Sequence, residues 1–267
     1  MKNPSPVSID DLRTNYRGDQ KSQLDRHELM GYYVFRPLSF YPTAWFLNMG
    51  LTANQTTWIS ILFLLAGCIF LAVGSYPAMV LGAILVNCWI VLDFVDGNIA
   101  RYRQNPSRYG EFIDALGASI CHLAYFAAGV GFFLSGESRE YFGAYSTPDN
   151  YPSVILAAGA IASLSAVWIR MVYQKFKNTF PDLAFEKHDV VNVKAERSML
   201  SRLFTLGHNL VNVSGMLLPL LLVAAIWRWL DLLLIFLAAA NTMILVVVLA
   251  RVLRTAMNHE LSSDRAE

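Results

Sequence analysis

The sequence predicts an all-α, polytopic membrane protein, with six transmembrane helices and an N-terminal interfacial amphipathic helix. Three observations carry that expectation. Apolar residues make up 55% of the 267 and charged residues only 15%, a balance too oily for a soluble domain of this length. Six apolar runs have about the ~20 residues that a helix needs to cross the hydrocarbon core. Lys and Arg gather in every second loop, which is the bias that orients membrane helices.

Segment 1 to 27 is polar and has no apolar core of a secretory signal, so the first span is expected to direct insertion and the segment to remain cytoplasmic. Residues 28 to 48 are rich in aromatic side chains and interrupted by Pro37 and Pro42, which suits a surface helix lying in the membrane interface. The spans are expected near 56 to 74, 77 to 100, 111 to 135, 152 to 174, 208 to 227 and 231 to 252, within one membrane domain of residues 28 to 255. Residues 256 to 267 form a cytoplasmic tail. The polar interruption at 175 to 207 is expected to hold a short amphipathic helix, as a lid or as a solvated linker. Cys68, Cys88 and Cys121 all fall inside apolar runs and read as small buried hydrophobes.

Basic residues flank the first span (Arg26, Arg36), the turn after the second (Arg101, Arg103, Arg108), the end of the fourth (Arg170, Lys175, Lys177), the start of the fifth (Lys194, Arg197, Arg202) and the end of the sixth (Arg251, Arg254). The alternate loops carry only Arg139 and Arg228. Both termini and the turn between spans 2 and 3 are therefore expected on the cytoplasmic side. A formal net charge of +1 gives no field for nucleic acid.

Acids inside or at the edge of a membrane are costly and mark function. On a helix, Asp93, Asp96, Gly97 and Ala100 share one face, as do Gly110, Asp114, Ala118 and His122 on the next. The short turn makes these helices antiparallel neighbours, so three carboxylates converge near the cytoplasmic surface. Such a set is partly protonated unless a cation neutralises it. Hard divalent ions take oxygen ligands, Mg²⁺ commonly together with substrate phosphates, and Arg101 adds a fixed positive charge suited to a phosphate.

The stretch Asp93-x2-Asp96-Gly97-x2-Ala100-Arg101-x8-Gly110-x3-Asp114 resembles the signature of the CDP-alcohol phosphatidyltransferase family, D-x2-DG-x2-AR-x8-G-x3-D-x3-D. Leu51, Thr52, Asn54 and Thr57 are similar to that family's L-T-P-N-x-V-T stretch, with Ala53 and Thr56 as departures. The resemblance implies a six-helix membrane bundle, commonly a homodimer, that binds Mg²⁺ or Mn²⁺ and a CDP-linked donor, either CDP-diacylglycerol or a small CDP-alcohol. It implies attack of an acceptor alcohol or lipid on the β-phosphorus with release of CMP. Asp93, Asp96 and Asp114 would hold metal. Gly97, Ala100 and Gly110 would leave room for the nucleotide, Arg101 would meet phosphate or brace the site, and Thr52 and Asn54 would lie near the cytidine.

The family's fourth Asp, its general base and a ligand of the second metal, falls on Ala118. Three explanations stand open: a natural variant in which Asp114, a water or the acceptor's phosphate takes the proton; a substitution that traps substrate; or a relative that only binds. His122, one turn further on, is a substitute base or a packed core residue. Arg170 and Arg36 read either as phosphate contacts or as snorkelling side chains. Asn87 and Asn241 suit interhelical hydrogen bonds, and Asn98 a substrate contact. A transporter is the remaining alternative, although the sequence shows no broken midplane helix.

Overall fold

The computed structural model describes residues 7–17, 28–136, 140–141, 145–146, 148–183 and 209–263. Helix α1 (Ile9–Arg17) lies within the segment expected to be a plain polar terminus. Ser8 Oγ accepts from the Asp11 amide while the Asp11 carboxylate accepts from the Ser8 amide and hydroxyl, a reciprocal cap that starts the helix. α1 buries Leu12 against Phe40, Ala44, Val95 and Ile99.

Residues 28 to 48 do not form one plain surface helix. A π-helical turn, Gly31–Phe35, leads into α2 (Arg36–Asn48). α2 is two-sided: Arg36, Ser39, Phe40, Thr43 and Phe46 are buried, while Leu38, Tyr41 and Trp45 stay exposed.

Helix α3 (Ala53–Ala72) starts at a capping box, with Thr52 Oγ1 accepting from the Gln55 amide and Gln55 Oε1 from the Thr52 amide. A turn through Gly74, at φ 86°, reverses the chain into α4 (Tyr76–Tyr102), with Pro77 in its first turn. A Cβ on Gly82 would stand 2.7 Å from the Gly67 carbonyl oxygen, so paired glycines set how closely α3 and α4 approach.

The third span is not continuous. α5 (Arg108–Ile120) and α6 (Leu123–Ser135) meet at a tight break over Cys121 and His122. No proline is present there. Ser119 Oγ donates to the Ala115 carbonyl at 2.8 Å beside Gly117, a combination that bends helices. α7 (Tyr151–Thr179) runs past its expected end near 174. Another π-turn, Val213–Leu217, leads into α8 (Leu218–Ile226), and α9 (Leu230–Ser263) continues well beyond the expected 252. Between α6 and α7 the two-residue strands β1 (Glu140–Tyr141) and β2 (Tyr145–Ser146) pair antiparallel.

Five helical stretches among the described residues are long and apolar enough to span a membrane: Ala53–Ala72, Tyr76–Tyr102, Arg108–Ser135, Tyr151–Thr179 and Leu230–His259. The expected fifth span is represented by the shorter apolar Val213–Ile226. Most of the 175 to 207 segment, with its expected amphipathic helix, lies outside the described residues. Exposed Met243, Val246, Val247 and Leu253 on α9 need lipid rather than water, and the molecule is an integral membrane protein. Its core joins Leu64, Trp89, Tyr125, Phe132, Ile155, Leu221 and Leu234. Asn87 Nδ2 donates to the Leu218 carbonyl and Asn241 Nδ2 to that of Ala162, the interhelical bonds expected of them.

Candidate active site

The acids sit where α4 ends and α5 begins. α4 stops at Tyr102, Gln104 takes φ 50° in the turn, and the Ser107 Oγ caps α5 by accepting from the Gly110 amide at 2.9 Å. This turn places Asp93, Asp96 and Asp114 with one carboxylate oxygen each, all within 4.8 Å of one another. Asp114 is exposed, Asp93 is half-buried and Asp96 is only 7% exposed.

Two full charges no more than 4.8 Å apart repel by at least about 3 kcal/mol at an effective dielectric constant of ~20. The donor set is hard oxygen only, and part of it is withdrawn from water. That chemistry fits a divalent ion such as Mg²⁺ or Mn²⁺ and leaves coordination positions for substrate oxygens. A third helix supports the set. Thr57 Oγ1 on α3, 3% exposed, donates to Asp96 Oδ2 at 2.6 Å, which orients the most buried carboxylate. Thr57 belongs to the 51 to 57 stretch, yet sequence reasoning gave it no role.

The other expected residues surround this core. Arg101 folds back along α4, so that a Cβ on Gly97 would stand 3.3 Å from its Nη2. Ala100 is half-buried on the same turn. On Gly110 a Cβ would meet Asn54 Oδ1 and Ser107 Oγ at 2.9 Å each, and Ser107 Oγ lies 3.4 Å from Asn54 Oδ1. Asn54 thus docks the start of α3 on the start of α5, and a side chain at 110 would displace the Asn54 and Ser107 oxygens. Thr52 is exposed beside them as the N-cap of α3.

Asn98 is not available to a substrate. Its Oδ1 accepts from Arg36 Nη1 and Arg101 Nη2, both at 2.9 Å, and its Nδ2 donates to Ser39 Oγ and Thr43 Oγ1. These four bonds use its full capacity. Arg36 does not snorkel to the surface either: it is 2% exposed, with its guanidinium 4.2 Å from the Phe94 ring centre and 4.9 Å from that of Tyr16. α1, α2 and α4 are thereby tied together next to the acids, with Arg101 as the member nearest to them.

Ala118 is half-buried on α5. His122 lies in the break after it, 8% exposed, with its Nδ1 3.3 Å from the Tyr125 hydroxyl and the two rings 5.6 Å apart. Cys121 and His122 keep right-handed helical backbone angles, and the amides of Ala124 and Tyr125 bond three residues back, to the carbonyls of Cys121 and His122. Arg170 is half-buried on α7, within electrostatic range of His122.

A family model described as CDP-alcohol phosphatidyltransferase matches residues 50–227, well over half of the chain. No curated protein matches it. The matched stretch begins at the capped start of α3, includes the acid-bearing turn between α4 and α5 and reaches the end of α8. On that footing the chain belongs to the CDP-alcohol phosphatidyltransferase family, transferases that move a phosphatidyl group from a CDP-alcohol.

Proposed function

We propose that this protein transfers a phosphatidyl or phospho-alcohol group from a CDP-linked donor to an acceptor alcohol or lipid, with CMP as the leaving group, in the synthesis of a phospholipid or other lipid-linked phosphodiester. The observation that carries this reading is the convergence of Asp93, Asp96 and Asp114 within 4.8 Å at the family's signature positions. These three residues would hold Mg²⁺ or Mn²⁺. When bound, the ion supplies positive charge to the diphosphate and to the departing phosphate.

The chain's own groups do the positioning. Thr57 fixes Asp96, Arg101 offers a charge to phosphate, and Thr52, Asn54, Gly97, Ala100 and Gly110 form the low surface beside which the nucleotide lies. The acceptor oxygen bonds to the β-phosphorus, the bond from that phosphorus to the CMP oxygen breaks, and the acceptor's proton passes to a base. With Ala118 in place of the fourth Asp, we assign that base to Asp114, the exposed member of the set. His122 is the alternative, and its burial against Tyr125 counts against it. The site and both termini face the cytoplasm, as the basic loops suggest, and the working unit is a homodimer.

Ala118 favours a second reading, in which the protein binds CDP compounds without turning them over. Transport has one supporting observation, the break in the third span. Purified protein supplied with labelled CDP-diacylglycerol or small CDP-alcohols and an acceptor pool should yield a lipid product along with CMP. Binding without product in the native chain, with product appearing in Ala118→Asp, would replace transfer by the binding reading. Flux in vesicles without CMP would replace it by transport.

A further inference from the structure

Beneath the carboxylates lies a layer built from the same three helices, one turn deeper on each. Thr57 of α3 is followed by Ile61, Asp93 of α4 is preceded by Trp89, and Asp114 of α5 is followed by Gly117 and Ala118. A Cβ on Gly117 would stand 3.3 Å from Ile61 Cγ1 and 3.9 Å from Trp89 Nε1. The indole nitrogen therefore lies between α4 and α5, on a residue one helical turn deeper than Asp93. Trp89 is 1% exposed, and its Nε1–H has no hydrogen-bond acceptor among the described residues.

A buried donor without an acceptor costs roughly 1–3 kcal/mol, and such groups in native folds call for a functional explanation or a missing water or ligand. The neighbourhood explains the orphan. Across from the indole stands Gly117, which has no side chain to accept the bond. Indole N–H only donates, so its partner is an acceptor that the described residues do not supply.

We propose that the Trp89 Nε1–H is a ligand-binding donor at the floor of the carboxylate site. It hydrogen-bonds an oxygen atom held beneath Asp93 and Asp114, either a water that accompanies the metal or a phosphate oxygen of the nucleotide. This inference rests on the proposed reading of the three acids as a metal and nucleotide site.

The chain has 6 tryptophans, which makes the test practicable. Full-length protein carrying ¹⁵N-indole tryptophan is titrated with Mg²⁺ alone and then with Mg²⁺ plus CMP, while calorimetry on the same samples records binding. The Trp89 signal is assigned by its loss in Trp89→Phe. Its indole proton should move downfield by roughly half a part per million or more as the hydrogen bond forms. A move with Mg²⁺ alone identifies the water, and a move only with CMP identifies the phosphate oxygen. Replacing Trp89 with benzothienylalanine, which keeps the shape and loses the N–H, should weaken that binding step roughly two- to tenfold without unfolding the protein. A Trp89 signal that stays still while calorimetry shows CMP binding overturns this inference and leaves the metal and nucleotide reading standing. Failure of both Mg²⁺ and CMP to bind overturns both.

Discussion

At the scale of single residues, the site depends on two side chains that touch no substrate in the proposed reaction. Thr57 donates to Asp96 from a helix that carries none of the acids, and support of this kind typically contributes 10–100-fold to metal affinity or activity. Thr57→Val should therefore lower metal affinity and turnover by roughly tenfold or more, and Thr57→Ser should restore most of it. A simple packing role would give the reverse, with Val tolerated and Ser not. Asn98 joins two arginines through one oxygen, so Asn98→Ala should cost about 2 kcal/mol and lower Tm by roughly 5 °C. Thermal denaturation in detergent measures this. His122→Gln should leave kcat unchanged if Asp114 serves as the base, whereas a loss of 10²-fold or more would return the proton to the imidazole.

At the scale of elements, the acid-bearing pair of helices was legible because its residues repeat with the helical period across one short turn. Asp93 and Asp96 on one side and Gly110 and Asp114 on the other needed no tertiary information to be assigned to facing helices. Helix α3 starts at Ala53, ahead of the expected 56, because Thr52 and Gln55 form a capping box. Thr52→Ala should destabilise that helix end by about 1 kcal/mol, which hydrogen exchange of the first turn of α3 would register. The break at Cys121–His122 was not legible. It follows from Ser119 bonding to Ala115 rather than from a proline, and serines sit inside many straight helices. Helix α1 was missed because its one firmly buried apolar residue, Leu12, finds a partner only after α2 has docked on α4. Arg36 and Asn98 were misjudged for the same reason, as each satisfies the other across a contact that no local pattern announces.

At the scale of the whole molecule, a membrane bundle brings one polar end together from α3, α4 and α5 and leaves the outer faces of α9 and its neighbours to lipid. The proposed orientation rests on the basic loops and is open to direct measurement. Single cysteines at Asn105, in the turn beside the acids, should react with membrane-impermeant maleimide only from the cytoplasmic side, and reaction from outside would invert the topology. The central claim is that the three acids hold a divalent ion and work on a CDP-linked donor. The measurement that tests it most directly is release of labelled CMP from CDP-diacylglycerol and from small CDP-alcohols, with and without Mg²⁺ or Mn²⁺, by the native chain and by Asp96→Asn. The account requires release that needs the metal and falls at least 10²-fold in Asp96→Asn. Release that ignores the metal and the substitution, or no release by a native chain that binds both metal and donor, would contradict it.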